Sequence, residues 1–443
     1  MSFLPQIIFA IALIFGIGYF AKNVSKIMRN IKLGHGVDTS DNTSQRWKNM
    51  AMIALGQSKM VKRPIAGILH VIVYVGFVVI NIEVLEIMID GLTGQHRIFA
   101  PAGEIYDILI GTFEILAFLV LVSVIIFWLR RNTIKLKRFL GREMKGWPKN
   151  DANYILYFEV VLMCLFLTMN GADLQLQLNG ADGYATAGSF PISQWLLPLF
   201  DGLSNANLII VERTAWWLHI LGILIFLNYL YYSKHLHILL AFPNTYFGKI
   251  KPQGQFENLD AVTNEVKMMM DPNVDPFAAA PEGTEDEVPA KFGASDVQDL
   301  SWVNLMNAYT CTECGRCTSE CPANQTGKKL SPRKIMMDTR DRLEEVGKNI
   351  TANNGEFKDD GKQLLGDYIT NEELWACTSC NACVEACPIS IDPLNIIMQM
   401  RQYLVMEQSA APMELNNMMT NIENNGAPWP YNQMDRLNWK NEG

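Results

Sequence analysis

Long apolar stretches separated by polar loops fill the first half of the chain. Five of these stretches are long enough to cross a hydrocarbon core of roughly 30 Å as helices. They cover residues 3–21, 65–89, 105–129, 152–169 and 208–232. The pattern therefore predicts a five-helix transmembrane bundle within residues 1–245.

The second half of the chain is polar and reads as a soluble region. Residues 246–297 contain turn residues and acidic runs with little periodic apolar content, which predicts an acidic linker. Residues 298–408 hold the motifs described below and are expected to form a domain. Residues 409–443 form a polar tail, which is either a surface arm or a docking segment for a partner.

Helical signals recur in the predicted soluble domain. Ser331-Pro332 and Asp392-Pro393 each place a capping residue before a proline at the first helical position. The first of these predicts a helix to about Val346, and the second predicts a helix that turns Leu394 and Leu404 to one side. Together with the apolar stretches, these signals predict an all-α fold.

The two halves of the chain carry opposite charge. Residues 1–250 hold 21 Lys and Arg against 15 Asp and Glu, a formal charge of +6. Residues 251–443 hold 16 against 30, a formal charge of −14. An acidic soluble half excludes nucleic acid as a partner, because binding to phosphates needs a basic surface.

The loops between the apolar stretches differ in basic residues. Segments 22–63 and 130–150 hold nine and eight Lys and Arg, whereas 90–104 holds one and 170–207 holds none. This positive-inside pattern predicts a multi-pass protein with its N-terminus outside and its C-terminal domain in the cytoplasm. We expect it in the cytoplasmic (inner) membrane of a bacterium or archaeon, in contact with lipid.

Eight of the nine cysteines lie in two copies of C-x2-C-x2-C-x3-C-P. In proteins with two [4Fe-4S] clusters, three cysteines at this spacing hold one cluster and the fourth binds the other. The spacing therefore predicts two clusters. The first is expected on Cys311, Cys314, Cys317 and Cys387, and the second on Cys377, Cys380, Cys383 and Cys321.

Structural zinc is the alternative occupant of these motifs. Tetrahedral zinc needs four ligands from paired C-x2-C units, so it explains neither the third cysteine of each motif nor the Cys-Pro pair. Clustered cysteines in a reducing cytosol are typical of metal ligands rather than disulfides. The ninth cysteine, Cys164, lies among apolar residues and is expected to pack.

Histidines in the apolar stretches are candidate haem ligands, because this residue is rare in membrane helices without a ligand or water. His219 and His237 are 18 residues apart, which is five helical turns, so we expect them on one face of a single helix. His70, in the second helix, could oppose that face and hold haem b. The alternative is that the histidines only form hydrogen bonds near the membrane surface.

Two carboxylates are expected deep within helices. Glu114 and Glu159 fall well inside the third and fourth apolar stretches, where an ionisable group is costly. Because a quinone exchanges protons as well as electrons, these residues are candidate catalytic groups of a quinone proton path. The alternative, that they pair with arginines or hydrogen-bond a haem edge, stays equally open.

The membrane half resembles the dihaem cytochrome b (gamma) subunit of respiratory nitrate reductase. The resemblance rests on five helices, His70 early in the second, and His219 followed by Tyr-Ser-Lys-His-Leu-His ending at His237. It implies that His70 and His237 hold the haem nearer the cytoplasm and that His219 holds an outer haem. Ile80 stands where the resemblance expects the histidine partner of His219, so the number of haems, one or two, stays open. A second haem would need His96 or Met169 as the substitute ligand opposite His219.

The cysteine motifs and their helical surroundings resemble the α-helical ferredoxin domain of heterodisulfide reductase small subunits. The same domain type occurs in anaerobic glycerol-3-phosphate dehydrogenase and in succinate dehydrogenase iron–sulfur subunits. In several such families a module with a Cys-Cys-Gly motif follows, and the sequence has none. The resemblance therefore implies a separate cytoplasmic redox partner, which would be a Cys-Cys-Gly-type subunit, a flavoprotein or a dehydrogenase.

These features predict a membrane electron-transfer subunit. It would pass electrons between its cytoplasmic partner and quinone through two [4Fe-4S] clusters and haem b. The quinone is expected to be menaquinone. In a second hypothesis the chain is itself a quinone oxidoreductase. In a third it is a non-redox membrane anchor whose clusters only stiffen a docking domain.

Overall fold

Helices make up the regular structure of this chain. The computed structural model describes residues 3–256, 258–272 and 291–441, and within those ranges it contains helices and isolated bridges but no β-strand. The membrane half holds α1 (Leu4–Ile31), α2 (Thr43–Asn49), α3 (Pro64–Thr93), α4 (Glu104–Asn132), α5 (Trp147–Leu178), α6 (Asn205–Tyr229) and α7 (His237–Phe247). The rest holds α8 (Asp260–Met270), α9 (Trp302–Thr310), α10 (Arg316–Glu320), α11 (Pro322–Gln325), α12 (Pro332–Ala352), α13 (Asn371–Trp375), α14 (Ala382–Ala386), α15 (Pro393–Met406) and α16 (Met413–Asn425). The all-α prediction is confirmed.

Five of these helices are long and apolar enough to cross a membrane: α1, α3, α4, α5 and α6. α3, α4 and α5 contain the predicted stretches 65–89, 105–129 and 152–169 and extend past them at both ends. α1 and α6 cover all but the first residue of 3–21 and the last three residues of 208–232. Hydropathy detects only the apolar part, whereas a helix ends where its backbone is capped. Ser204, for example, accepts a hydrogen bond from the Asn207 backbone N–H at 3.4 Å and begins α6.

The membrane half packs around a core shared by α3 to α6. Ile110, Ala117, Phe166 and Ile220 are fully or almost fully buried there. Large apolar side chains also cover the outside of the helices, and Phe15 is 73% exposed. Because soluble proteins rarely expose broad apolar surfaces, this outer surface is suited to lipid.

The chain breaks its helix between His219 and His237. The α-helix ends at Tyr229, Ser233 is extended (φ −107°, ψ 149°), and α7 begins at His237 itself. The prediction that both histidines share one face of a continuous helix is therefore wrong. The physical reason is the next residue, Lys234, whose side chain is buried in ion pairs described below.

The two cysteine motifs lie in a helical domain with its own apolar core. Leu300, Leu305, Ile335, Leu343 and Ile396 are completely buried in it. Ser331 caps α12 through the Lys334 N–H, and Asp392 caps α15 through the Asn395 N–H at 3.0 Å. The first of these helices extends to Ala352, six residues beyond the predicted end.

The segments predicted as linker and tail contain short helices. α8 lies in the predicted linker, and residues 257 and 273–290 of that segment lie outside the described residues. α16 and a 3₁₀ helix, Gln433–Lys440, lie in the predicted tail, and neither has a buried residue.

The end of α1 contacts the motif-bearing domain directly. Arg29 donates a hydrogen bond to the Gly347 carbonyl at 2.7 Å, and the Asn30 amide donates one to the Tyr309 hydroxyl at 2.9 Å. A β-carbon at Gly347 would lie 2.4 Å from the Asn30 side chain, so only glycine allows this approach. The domain therefore sits at the end of the bundle where the two basic loops emerge.

A buried ion-pair network joins the bundle to the first cysteine motif. Lys234 pairs with Glu313, which lies between the first two cysteines, and Arg340 of α12 pairs with the same carboxylate at 2.9 Å. The Asp151 carboxylate of α5 lies 3.8 Å from the Lys234 ammonium. The side chains of Lys234, Glu313 and Asp151 are 4%, 2% and 2% exposed, so water does not screen these charges.

We predict that Lys234→Met destabilises the docked state by about 3–5 kcal/mol, because it removes one cation that lies beside both the Asp151 and the Glu313 carboxylates, which stay buried. Thermal unfolding and limited proteolysis of the detergent-purified protein measure the effect. The matched control is Lys62→Met, since Lys62 pairs with Glu385 but the two side chains are 58% and 50% exposed. The control should cost less than about 1 kcal/mol, and equal losses in the two variants would contradict the role given to the network.

Candidate functional site

The two cysteine motifs form nearly identical loops. In the first, Glu313 and Gly315 adopt positive φ values of 55° and 71°, and in the second Ser379 and Asn381 adopt 56° and 59°. A β-carbon at Gly315 would lie 2.5 Å from the Arg333 guanidinium, so this position needs glycine for space as well as for φ. Each loop reverses the chain between its cysteines.

Short helices present the third cysteine of each motif. Cys317 lies in α10 and Cys383 in α14, and these two helices pack against each other. The fourth cysteines, Cys321 and Cys387, follow in extended conformation, with ψ values of 117° and 124°. The packed pair of helices brings each motif's last cysteine towards the other motif.

The eight motif cysteines lie close together where the two motifs meet. Cys311, Cys314, Cys317 and Cys387 line one cavity, which Cys383 also reaches. Cys321 interacts electrostatically with Cys377, Cys380 and Cys383. Among the described residues, no three His, Cys, Asp or Glu side chains lie close enough to share one metal ion.

Several of these thiols are buried and bonded to backbone donors. Burial raises the pKa of Cys311 to about 12 and that of Cys387 to about 11. Such thiols become thiolates at neutral pH when a cation takes the place of the proton. The Ile391 N–H donates to the Cys387 sulfur at 3.3 Å and the Ser379 N–H to the Cys377 sulfur at 3.4 Å. These are donors of the kind that tune iron–sulfur clusters.

A cavity of about 510 Å³ lies between the membrane helices and the first motif. That volume is in the range of ligand sites, about 300–1,000 Å³. His70 and His237 line it from α3 and α7, and Cys314 lines it from the first motif. Apolar walls complete it, among them Val73, Phe77, Ile155, Leu156 and Phe226.

His70 and His237 face each other across this cavity with ring centroids 6.4 Å apart. Two imidazoles sharing one metal through bonds of about 2.0 Å would have centroids roughly 6 to 7 Å apart. The His237 Nδ1–H donates to the Lys234 carbonyl at 3.3 Å, which leaves Nε2 free, whereas Nδ1 of His70 is buried without a partner in the described part of the chain. Burial lowers the pKa of His237 to about 4, so its ring is the neutral form that binds metals. The pair fits axial ligation of haem.

His219 is not part of this cavity. Its Nδ1–H donates to the Leu162 carbonyl at 3.0 Å, and its ring packs 5.8 Å from that of Phe166. Of the substitute ligands considered for an outer haem, His96 bonds Asp173 at 3.2 Å and Met169 is buried in the core. The structure therefore brings His70, His235 and His237 together at one cavity, with the His235 ring 5.7 Å from that of His237, and the assignment of His219 stays a prediction.

The two membrane carboxylates have different surroundings. Glu114 accepts hydrogen bonds from the backbone N–H groups of Ile192 and Ser193, at 2.9 and 3.0 Å, and from the Asn170 amide at 3.2 Å. It thereby anchors the loop before α6. Glu159 lines the large cavity and makes no hydrogen bond or ion pair within the described ranges, so of the two it is placed to exchange protons with a ligand.

Sequence reasoning missed the basic end of the cavity. Arg130, Arg131 and Arg138 line it, although in the sequence they count only towards the positive-inside pattern. Lys234 and Glu313 were missed as well. Their partnership spans 79 residues of sequence, so no local pattern indicates it.

A family model described as a 4Fe-4S dicluster domain matches residues 310–391. This match covers both cysteine motifs and the helices between them. It supports the presence of [4Fe-4S] clusters and the ferredoxin-like character of this domain. The predicted ligand set agrees with that description and remains a prediction residue by residue.

Curated proteins match much more of the chain. "Probable iron-sulfur-binding oxidoreductase FadF" of Bacillus subtilis is 29% identical over 98% of this chain and 61% of its own length. "EtfAB:quinone oxidoreductase" of Syntrophomonas wolfei is 25% identical over 92% of this chain and 55% of its own length. One subunit of a CoB-CoM heterodisulfide reductase from Methanosarcina acetivorans is 32% identical over 24% of this chain and 52% of its own length.

The chain thus spans little more than half the length of these relatives. No solved structure matches it. The matches support an electron-transfer role and the resemblance to heterodisulfide reductase small subunits. Together with five apolar helices, they describe an iron–sulfur protein of the membrane.

We predict crosswise cluster ligation that double variants can test by iron content. Cys387→Ala with Cys314→Ala should damage one cluster and leave about four irons per chain. Cys387→Ala with Cys380→Ala should damage both clusters and leave close to none. If each cluster took all four ligands from one motif, the two double variants would exchange results. Cys164→Ala is the control, since this cysteine lies outside both motifs, and it should retain about eight irons.

Proposed function

We propose that this chain is a membrane subunit that passes electrons between a soluble redox partner and quinone. Two [4Fe-4S] clusters on the eight motif cysteines and one haem b on His70 and His237 would form the path. The observation that carries the proposal is the shared cavity, which Cys314 lines together with both histidines. A ligand held by the histidines would therefore lie beside the first cluster.

The bound clusters and haem would supply one-electron carriers that match single-electron steps to the two-electron chemistry of quinone. The chain's own residues set the order along the path. Cys380 of the second motif is exposed, whereas Cys311, Cys314, Cys317 and Cys387 are buried or half-buried. The second motif is therefore where the soluble partner would approach, and the first faces the membrane cavity.

The relatives support a choice of donor and acceptor. The name of the Syntrophomonas relative contains EtfAB and quinone, which favours an electron-transferring flavoprotein as donor and quinone as acceptor. Menaquinone is the form that we propose. Glu159 would exchange protons with quinone from the cavity wall, and Glu114 would hold the loop before α6 rather than carry protons.

The basic residues of the loops support an orientation of the chain in the membrane. The motif-bearing domain contacts the end of the bundle where segments 22–63 and 130–150 carry nine and eight basic residues. By the positive-inside rule that end faces the cytoplasm. We propose the cytoplasmic membrane of a bacterium or archaeon, with the N-terminus outside.

A second candidate function is supported by the same relative. The chain aligns over 92% of its length with a protein named as a quinone oxidoreductase, so it could itself catalyse quinone reduction. In that case the cavity would be the quinone site and Glu159 a catalytic residue. The two functions differ in whether the isolated chain turns over quinone.

We predict about eight non-haem irons and one b haem per chain in anaerobically purified protein, measured by iron, sulfide and haem assays with a reduced-minus-oxidised spectrum. His70→Ala and His237→Ala should each lose the haem and keep the irons. His35→Ala is the control, because its ring only contacts its neighbour's carbonyl at 3.2 Å. If the native protein held two haems and His219→Ala lost one of them, the prediction of an outer haem on His219 would be supported. If the native protein held no haem, the haem path would be refuted.

We predict that a reduced electron-transferring flavoprotein reduces the chain's clusters within milliseconds to seconds, followed by stopped-flow absorbance. Adding a soluble menaquinone analogue should then reoxidise them, at a rate that Glu159→Gln lowers at least tenfold and Glu114→Gln does not. Sustained turnover by the isolated chain would favour the enzyme function. If the flavoprotein does not reduce the clusters and the quinone analogue does not reoxidise them, only the hypothesis of a non-redox membrane anchor would remain.

A further inference from the structure

One end of the large cavity carries an excess of positive charge. Arg130 and Arg131 lie at the end of α4, Arg138 follows in the next loop, and Arg316 begins α10 beside the first motif. All four line the cavity. Arg316 already donates hydrogen bonds to the carbonyls of Lys59 and Met60, at 3.2 and 3.1 Å.

Arg131 and Arg138 differ from Arg316 because they lack partners. The Nε atom of each is buried and makes no hydrogen bond within the described ranges, and neither side chain forms an ion pair there. Their guanidinium groups lie 4.6 and 4.8 Å from the ring centre of Phe139, so both contact the same aromatic ring.

Two almost completely buried arginines of this chain do have acidic partners. Arg333 pairs with Glu143 at 2.6 Å, and Arg342 pairs with Asp296 at 2.8 Å and with Asp360 at 2.6 Å. Burying a guanidinium without an anion is costly, since its charge loses water and gains nothing in return. Arg131 and Arg138 are half-buried and form no ion pair within the described ranges, so a bound anion would stabilise both.

The acidic residues of the cavity do not meet this need. Two carboxylates line it, Glu159 and Glu313. Glu313 already pairs with Lys234 and Arg340. Glu159 makes no ion pair, and as one carboxylate it cannot balance Arg130, Arg131 and Arg138 together.

We propose that Arg131 and Arg138 bind the two carboxylates of the haem held by His70 and His237. The inference rests on the proposed function and deepens it. The ligand would be an apolar macrocycle with two carboxylates on one edge. The cavity offers the matching parts, with apolar walls, two facing imidazoles, and two unpaired guanidinium groups at one end.

This arrangement would turn the carboxylate edge of the macrocycle towards the first cluster, since Arg138 interacts electrostatically with Cys314. The loop is already fixed in place. The Arg138 carbonyl accepts a hydrogen bond from Arg333 at 2.6 Å, and Arg333 is held by Glu143. The site would therefore exist before the ligand arrives, so little loop ordering opposes binding.

The test compares haem with its dimethyl ester, which has the same ring but no carboxylates. Protein produced under haem limitation is titrated with each, in native form and as Arg131→Gln/Arg138→Gln. Native protein should bind haem at least about tenfold more tightly than the ester, because charge-assisted hydrogen bonds are lost with the carboxylates. The double variant should bind both about equally and keep its iron content.

The control is Arg142→Gln, which removes an exposed charge of the same loop outside the cavity and should preserve the preference for haem. A double variant that still prefers haem tenfold would overturn the inference while leaving the haem path intact. So would a phospholipid found bound in haem-loaded native protein, by native mass spectrometry, and lost from the double variant. Native protein that binds neither compound would refute the haem path itself, and the inference with it.

Discussion

The Glu313 carboxylate, shared by Lys234 and Arg340, is the contact on which the joined architecture depends. Lys234 belongs to the membrane half, Arg340 to α12 of the soluble half, and Glu313 to the loop that carries Cys311 and Cys314. A buried carboxylate needs its cations, so removing Lys234 or Arg340 from the joined structure would leave buried charge without its partner. The same contact fixes the first motif against the end of the bundle.

The fixed position of the first motif also sets its distance from the histidines that line the cavity. The Lys234 side chain holds the Glu313 loop, while its backbone carbonyl accepts the hydrogen bond of His237. One residue thus orients a candidate haem ligand and a cluster-bearing loop together. Electron transfer between the two sites needs their separation to stay constant, and a rigid shared residue provides this more reliably than two independently packed domains.

The sequence predicted the features that depend on local pattern. Apolar stretches predicted the five long helices, and the cysteine spacing predicted an iron–sulfur domain, because both depend on nearby residues. The continuous helix carrying His219 and His237 failed, since the break at Ser233 depends on ion pairs of Lys234 with distant residues. Arg131 and Arg138 illustrate the same limit. Sequence alone explained them as charges that set orientation, and only the folded chain shows that they line a cavity and form no ion pair within the described ranges.

The burial of the first motif also constrains biogenesis. Cys311 is 7% exposed once the soluble domain has docked, and Glu313 beside it is covered by Lys234. A scaffold or carrier protein that delivers iron and sulfide could not reach this loop in the finished molecule. A cluster on the first motif would therefore have to be assembled before docking onto the membrane helices, whereas the second motif, with Cys380 at the surface, would stay open to repair afterwards. Maturation would then follow a fixed order, in which the inner site is loaded first and then closed.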